Sequence, residues 1–91
     1  MPYAREAPIE HYFVRVAEAH GWEVRKLQWV GRRGAPDRLI LRDGGALVFV
    51  ELKAPKGRVA AHQAREHERL RAMGFRVAVL WNKELVERYF K

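Results

Sequence analysis

The stretch GAPDRLILRDGGALVFVELKAPKGR, residues 34–58, decides how this chain folds. Two apolar segments, DRLILR and ALVFVELKA, flank the turn-forming residues DGG at 43–45, and this arrangement is typical of a β-hairpin. Charged side chains interrupt both segments, because Asp37 opens the first strand and Glu51 and Lys53 lie within the second. Buried strand positions normally carry apolar side chains, so these three charges require an explanation.

The length of the turn decides which side chains face one another across the hairpin. A three-residue turn centred on Gly44 pairs Asp37 directly with Glu51, with their Cβ atoms about 5 Å apart. Two carboxylates at that distance repel each other and burial disfavours their ionised forms, so a cation between them would stabilise the pair. Lys53 would project from the same face about 7 Å further along the strand. A two-residue turn would instead place the carboxylates on opposite faces.

An all-oxygen site of this kind suits a hard cation, Mg²⁺ or Mn²⁺, rather than zinc. Such an ion stabilises negative charge on a phosphate and lowers the pKa of a bound water. Lys53 is then placed to orient the attacking water or to neutralise the charge that develops on the phosphate. These are the components of phosphodiester hydrolysis. The structural alternative is a simple ion pair between Glu51 and Lys53 on an edge strand.

The composition favours a single folded domain, covering residues 1–91, that binds polyanions. Lysine and arginine total 18 against 11 acidic residues, and the formal net charge of +7 favours nucleic acid as the partner. A hydrophobic content of 48% indicates a folded globule, and the absence of cysteine excludes disulfides and thiolate zinc sites. No apolar run approaches the ~18 residues that span a bilayer, and the N-terminus does not resemble a signal peptide, so we expect a cytoplasmic protein.

Hydrophobic periodicity and helix-breaking residues place seven elements along the chain. The expected helices cover residues 9–20, 59–74 and 82–91, the expected strands cover 22–30, 37–42, 46–54 and 75–81, and residues 31–36 form a loop. The order is therefore α-β-β-β-α-β-α. Asn82 is the expected cap of the last helix, and the segment 75–81 is apolar enough to predict a fully buried strand.

Asp37 after Pro36, followed by Glu51-Leu52-Lys53, resembles the PD-(D/E)XK nuclease signature. Three segments, GRRGAPDRLIL, VFVELKAPKGR and HQAREHERLRAMGFRVAVL, are similar to the VRR-Nuc (virus-type replication-repair nuclease) family in its small stand-alone, phage-like form. The likeness extends over nearly the whole chain. It implies an α/β fold with a restriction-endonuclease-like core, a mixed β-sheet and a C-terminal helix. It also implies a DNA-repair enzyme of a bacterial or phage-infected cell.

The resemblance implies an active site that depends on Mg²⁺ or Mn²⁺. Asp37, Glu51 and the backbone carbonyl of Leu52 would be metal ligands, and Lys53 would be the catalytic lysine. Glu10, on the first helix, would reach the metal directly or through water. An acidic side chain near the start of a helix also has a structural explanation, because it interacts favourably with the helix dipole.

The resemblance also makes Gln63, on the second helix, an active-site glutamine near Lys53. Gln63 lies on the apolar face of its helix, where an unpaired amide is costly, so a hydrogen bond to backbone in the core is the structural alternative. The four histidines share no spacing with the acids, and we expect them to be surface or packing residues: His11, His20, His62 and His67.

Basic residues in the two loops that flank the site are candidates for contacts with DNA phosphates. They are Arg32, Arg33 and Arg38 at the Asp37 end, and Lys56 and Arg58 at the Lys53 end. Such contacts would position a DNA backbone over the metal without reading its bases. For each of these residues, a solvated surface charge is the alternative explanation.

These features predict a metal-dependent, structure-selective DNA endonuclease. The resemblance to the stand-alone VRR-Nuc branch, which looks like a dimeric junction-cleaving group, further implies a homodimer that resolves four-way (Holliday) junctions. Two symmetric cuts need two sites, which a two-fold dimer supplies, and aromatic residues are favoured at interfaces. The candidate interface residues are Tyr3, Tyr12, Trp81, Leu85, Val86, Tyr89 and Phe90. The alternative is that the terminal helix simply covers one face of the sheet. A DNA-binding module of the same fold, a flap or nicking nuclease, and a ribosome-associated basic protein are the alternative functions.

Overall fold

The computed structural model describes residues 7–91, which form a four-stranded sheet with three helices in the predicted order. The elements are α1 (Ala7–Ala19), β1 (Glu23–Lys26), β2 (Arg38–Arg42), β3 (Ala46–Leu52), α2 (Ala61–Ala72), β4 (Arg76–Leu80) and α3 (Lys83–Phe90). The strands lie side by side in chain order; β2 is antiparallel to both of its neighbours, and β4 runs parallel to β3. The expected mixed sheet of an α/β fold is therefore confirmed. Among the described residues, no helix has the length and apolar character that crossing a bilayer requires.

The hairpin of β2 and β3 has the three-residue turn on which the pairing of the carboxylates depends. Residues 43–45 form the turn, and its two glycines have φ values of 91° and 83°, in the left-handed region that glycine enters without steric cost. Arg38 pairs with Val50 as the outermost regular pair of this ladder. The next pair outward is therefore Asp37 and Glu51, and a two-residue turn is excluded.

One face of the sheet carries the hydrophobic core, which α1 and α3 cover. Alternate residues of each strand point to this face and pack against apolar side chains of the two helices. The buried members of this core are Ile9, Phe13, Ala17, Trp22, Ile40, Val48, Val50, Leu52, Leu80 and Val86. The start of α3 is fixed by Asn82, whose side chain accepts a hydrogen bond from the backbone N–H of Leu85 at 2.8 Å, as predicted.

The opposite face of the sheet carries polar as well as aromatic side chains, and α2 packs over it. Because side chains alternate along a strand, Phe49, Glu51 and Asp37 all belong to this face. Trp29 and Phe75 pack edge-on against Phe49, with ring centroids 6.2 and 5.6 Å away. The hairpin register thus directs both carboxylates toward α2 and away from the main core.

Two strand predictions are wrong in detail. The strand β1 ends four residues earlier than predicted, because the chain leaves the sheet and turns Trp29 toward α2, where its indole N–H donates to Glu66 at 2.8 Å. The strand β4 is not fully buried, because it lies at the edge of the sheet. Its first residue, Arg76, is exposed and only its last, Leu80, is buried. The interior strand β3 is the buried one.

Candidate active site

The carboxylates of Asp37 and Glu51 lie at the open end of the hairpin, and each accepts a hydrogen bond from the backbone of the opposite side. The Asp37 Oδ2 accepts a hydrogen bond from the backbone N–H of Leu52 at 3.0 Å, and the Glu51 Oε1 accepts one from the backbone N–H of Asp37 at 3.2 Å. Each side chain therefore binds the backbone of the opposite strand, just beyond the last regular pair. This reciprocal arrangement fixes both carboxylates at one point of the sheet.

Lys53 and Gln63 complete a closed set of contacts around Glu51. The Lys53 Nζ lies 3.1 Å from Glu51 Oε2 and donates to Gln63 Oε1 at 3.0 Å. The Gln63 Nε2 donates to the same Glu51 oxygen at 3.0 Å, and its Oε1 also accepts from the backbone N–H of Ala60 at 3.1 Å. Gln63 therefore binds the Glu51 carboxylate, the Lys53 ammonium group and the N-terminal backbone of its own helix. Its amide is well satisfied even though it faces the sheet.

The electrostatics of Glu51 favour the arrival of a positive charge. The side chain is 1% exposed, and burial raises its pKa above the usual range. The neighbouring charge of Asp37 raises this pKa further, while the contacts with Lys53 oppose the shift. A cation between the two carboxylates would relieve both the repulsion and the desolvation, so the pair is a suitable cation site.

His67 also belongs to the cluster of side chains around Glu51. The sequence did not predict this position for His67, which was expected to be a surface or packing residue. The residue is 2% exposed, and its Nε2 lies 4.0 Å from Glu51 Oε1. Burial lowers the pKa of His67, so the imidazole is neutral at physiological pH. A signal existed in the sequence, because His67 follows Gln63 by four residues and therefore lies one turn further along the same helix face. The other histidines, His11, His20 and His62, lie outside the cluster.

A cleft with a volume of about 140 Å³ opens beside Asp37. It is lined by Ile9, Glu10, Asp37, Arg38, Leu52 and Lys53. Glu10 thus lies at the site, as the resemblance implied, but its Oε1 is 3.3 Å from the Arg38 Nη2. The cleft therefore brings together an acidic and a basic side chain from α1 and β2, next to Asp37 and Lys53.

The donor set fits a hard divalent cation that takes few protein ligands. Within residues 7–91, acidic, histidine and cysteine side chains do not form a cluster of three that could hold a metal by themselves. Asp37 and Glu51 supply two carboxylates, and Leu52, whose backbone carbonyl is the third candidate ligand, directly follows Glu51 in the chain. Mg²⁺ commonly takes one or two carboxylates and completes its shell with water and substrate phosphate oxygens.

The loop after β3 presents exposed cations close to the cleft. Lys56 and Arg58 are exposed, and Lys56 has a left-handed φ of 69°. The next residue, Gly57, has no room for a side chain, since a Cβ there would lie 2.8 Å from the carbonyl oxygen of Ala54. The Trp81 indole N–H donates to the Gly57 carbonyl at 2.8 Å. This loop is therefore tightly folded and attached to Trp81.

The two arginines of the loop before β2 differ in their partners. Arg33 is exposed, whereas Arg32 binds the buried carboxylate of Glu66 at 2.8 Å. The same carboxylate accepts the indole N–H of Trp29, so the loop is attached to α2 at two points. Arg38, unlike Arg32, is largely buried. Of the predicted DNA contacts at this end, Arg33 alone has an exposed side chain that is not bound to a carboxylate within the described residues.

Comparisons with known proteins agree with this geometry. A solved structure described as a VRR_NUC domain matches with a TM-score of 0.87 and 39% sequence identity, over 92% of this chain and 91% of that chain. The "Putative nuclease p44" of Acyrthosiphon pisum secondary endosymbiont phage 1 is 41% identical over 85 residues, which cover 93% of this chain and 91% of the relative. No family model matches the sequence.

Similarity over nine-tenths of both chains places this protein among the nucleases with an α/β core. It belongs to the VRR-Nuc family, and the resemblance found in the sequence is confirmed. Its relative p44 is a phage protein, which agrees with the phage-like form of the motif segments.

Proposed function

We propose that this protein is a divalent-metal-dependent DNA endonuclease that hydrolyses phosphodiester bonds. The observation that carries the proposal is the buried Glu51 carboxylate, which lies opposite Asp37 and contacts Lys53 and Gln63 at 3.1 and 3.0 Å. A protein that only binds nucleic acid has no need of two opposed acids, one of them buried, whereas a metal-dependent hydrolase does. Membership of a nuclease family supports the same activity.

Asp37, Glu51 and the Leu52 carbonyl would hold Mg²⁺ or Mn²⁺ beside the cleft. When bound, the ion supplies Lewis-acid stabilisation of the phosphate and a water of lowered pKa. Glu10 would reach the ion directly or through water. Because the Glu10 carboxylate already contacts Arg38 at 3.3 Å, the water-bridged contact fits the observed geometry better.

Lys53 is oriented before any substrate arrives. Its ammonium group has three donors, and two of them are directed at Gln63 Oε1 and Glu51 Oε2. The third donor is available to a water or a phosphate oxygen in the cleft that Lys53 lines. A lysine fixed in this way would orient the attacking water or neutralise the developing charge without first losing side-chain freedom.

We assign the contacts with DNA phosphates first to the exposed loop cations Arg33, Lys56 and Arg58. They lie in the two loops that flank the cleft, so they would position a DNA backbone over the site without reading its bases. Arg32 and Arg38 already bind carboxylates. These two residues would contact phosphates only by giving up those partners.

The proposed substrate is a four-way DNA junction, cut by a homodimer. One chain carries one site, and resolution of a junction needs two symmetric cuts, which a two-fold dimer supplies. Exposed apolar side chains next to the edge strand β4 support such an interface, because Met73 is 60% and Phe75 43% exposed. The setting we propose is DNA repair in the cytoplasm of a bacterial or phage-infected cell.

The apolar residues near the chain ends contribute less to an interface than predicted. Val86 is fully buried, and Tyr12, Leu85 and Phe90 pack against the core, so α3 mainly covers the sheet. Trp81 is half-buried and Tyr89 is 36% exposed. Tyr3 lies outside the described residues.

Cleavage assays and a mass measurement test this function. Labelled four-way junction, flap, splayed and plain duplex DNA would be incubated with the protein in Mg²⁺, Mn²⁺ or EDTA. Its mass would be measured by light scattering at micromolar concentration. We expect paired, symmetric cuts in the junction with either metal, no cleavage in EDTA, and a dimeric mass.

The possible failures of this experiment separate the parts of the proposal. DNA binding without cleavage under any condition would favour a binding module of the same fold. Cleavage in EDTA would reject the metal dependence. A monomeric mass, or duplex and flap cleaved as fast as the junction, would reject junction resolution and leave a metal-dependent nuclease.

A further inference from the structure

His67 carries a buried polar atom that has no partner. Within the described residues, its Nε2 is the one buried side-chain nitrogen or oxygen that makes no hydrogen bond. Leaving such a group unpaired costs about 1–3 kcal/mol of stability. An apolar side chain of similar size would avoid this cost on the buried side of α2, so the histidine indicates a role beyond packing.

The unpaired nitrogen faces the more weakly held oxygen of Glu51. Oε2 is held by Lys53 at 3.1 Å and by Gln63 at 3.0 Å, whereas Oε1 accepts the longer bond of 3.2 Å from the backbone N–H of Asp37. His67 Nε2 lies 4.0 Å from Oε1, just beyond hydrogen-bonding distance. A small side-chain rotation would close this gap.

We propose that His67 is a positioning residue, which orients Glu51 for cation binding by donating its Nε2–H to Oε1 in the cation-bound enzyme. This inference rests on the proposed metal dependence. Gln63 and His67 lie one turn apart on the same face of α2, so this helix would hold both oxygens of the carboxylate. Partners of this kind fix the direction of a ligand's lone pairs, and hydrogen bonds at catalytic sites are often long before the complex forms.

Three substitutions of His67 separate the hydrogen bond from the packing. In His67→Gln an amide N–H donor lies near the position of Nε2, whereas in His67→Asn the amide is too short to reach it. His67→Leu fills the space without any donor. His11→Leu, at an exposed position of α1, makes the same chemical change away from the site and is the control.

Binding of Mn²⁺ without DNA, followed by the electron paramagnetic resonance of the free ion, gives a readout independent of cleavage. We expect His67→Leu and His67→Asn to weaken Mn²⁺ binding by about 10–100-fold, and His67→Gln and His11→Leu to retain most of it. The Mn²⁺ concentration for half-maximal cleavage should rise by the same factor. His67→Leu should melt no lower than the wild type in EDTA, because it removes an unpaired buried group.

A His67→Leu protein that binds Mn²⁺ as tightly as the wild type would overturn the inference and leave His67 as a packing residue. Equal weakening by Gln and Asn would also overturn it, because the position of the donor would then not matter. That pair of variants decides the question even if His67→Leu fails to fold. A wild-type protein that binds no Mn²⁺ and cleaves in EDTA would refute the proposed metal dependence itself, which is a different result.

Discussion

The two faces of the sheet differ in what the helices bury against them. On the first face, α1 and α3 enclose apolar side chains such as Phe13, Ile40 and Val86, each with 0% exposure. On the second face, α2 encloses the carboxylate of Glu51 and the imidazole of His67, which are 1% and 2% exposed. Both faces are closed to water at their centres, but the first is closed with hydrocarbon, whereas the second combines aromatic side chains such as Phe49 with buried ionisable groups.

This difference separates stability from chemistry in a small domain. Burying an apolar side chain of this size contributes about 1.5–3 kcal/mol, so the first face supplies most of the folding free energy. Burying a carboxylate is unfavourable unless it is paired, and a pair often only offsets its own desolvation. The buried charges of the second face therefore add little stability, but their contacts hold Glu51, Lys53 and Gln63 in a defined arrangement before any ligand arrives.

The largest expected effect is on catalysis and comes from the second face. Asp37→Ala, Glu51→Ala and Lys53→Ala should each lower the cleavage rate by about 10³-fold or more, because each removes a proposed metal ligand or the oriented ammonium group. Circular dichroism should show folded proteins. Binding to uncleaved DNA should persist, since the phosphate contacts belong to other residues. A rate near that of the wild type in any of the three would remove that residue from the mechanism.

A substitution in the first face should lower the stability of the protein and leave its cleavage rate nearly unchanged. Ile40→Val removes one methylene group from a fully buried position and should lower the free energy of unfolding by about 0.5–1.5 kcal/mol. The cleavage rate of the folded protein should stay close to that of the wild type, because Ile40 points away from the carboxylates. Urea denaturation and single-turnover cleavage measure the two effects. A large loss of rate would show that the faces are coupled.

The loops at the rim of the second face should set the response to salt. Log affinity for DNA should fall linearly with log salt concentration, and Arg33→Ala or Lys56→Ala should each reduce the slope by about 0.9. Arg25→Ala is the matched control, because Arg25 pairs with Glu23 on the edge strand β1. Fluorescence anisotropy over a salt series provides the slopes. Unchanged slopes in both loop variants would place the phosphate contacts elsewhere.

The smallest expected effect concerns how the stability of the second face depends on pH. The pKa of Glu51 is raised in the folded state, so above this raised pKa the ionisation of Glu51 opposes folding. The penalty decreases as the pH falls through the raised pKa, and it is gone below the ordinary value of about 4.3 for an unfolded chain. Glu51→Gln, which cannot ionise, should therefore melt above the wild type at neutral pH in EDTA. The gap should shrink in acid. A difference in melting temperature that does not change with pH would mean that the charge of Glu51 is not its cause.

Local features of the sequence predicted the hairpin, the last helix cap and the order of the elements well. The Gly-rich turn at 43–45 and the alternation of its flanking strands placed Asp37 opposite Glu51 on the condition of a three-residue turn, and the structure supplied that condition. Asn82 as a helix cap is a local signal of the same kind. The element order followed from the same short-range patterns.

Contacts between residues far apart in the chain were not accessible in this way. Glu66 binds Trp29 and Arg32, which precede it by more than 30 residues, and a glutamate on a basic helix gives no local sign of burial. The spacing of His67 from Gln63 indicates a shared helix face, but the approach of His67 to Glu51 depends on how α2 is placed over β3. The edge position of β4 likewise depends on strand order, which an apolar segment alone does not specify.

The most direct test of the central claim is junction cleavage by the wild type and Glu51→Gln, each in Mg²⁺ and in EDTA. This substitution keeps the shape of the side chain and removes the charge that would hold the cation. We predict cleavage by the wild type in Mg²⁺ alone, and none by the variant, although it stays folded and still binds the junction. Cleavage by Glu51→Gln at the wild-type rate, or equal wild-type cleavage in EDTA, would contradict the view that the buried acid of the second face serves a metal-dependent nuclease.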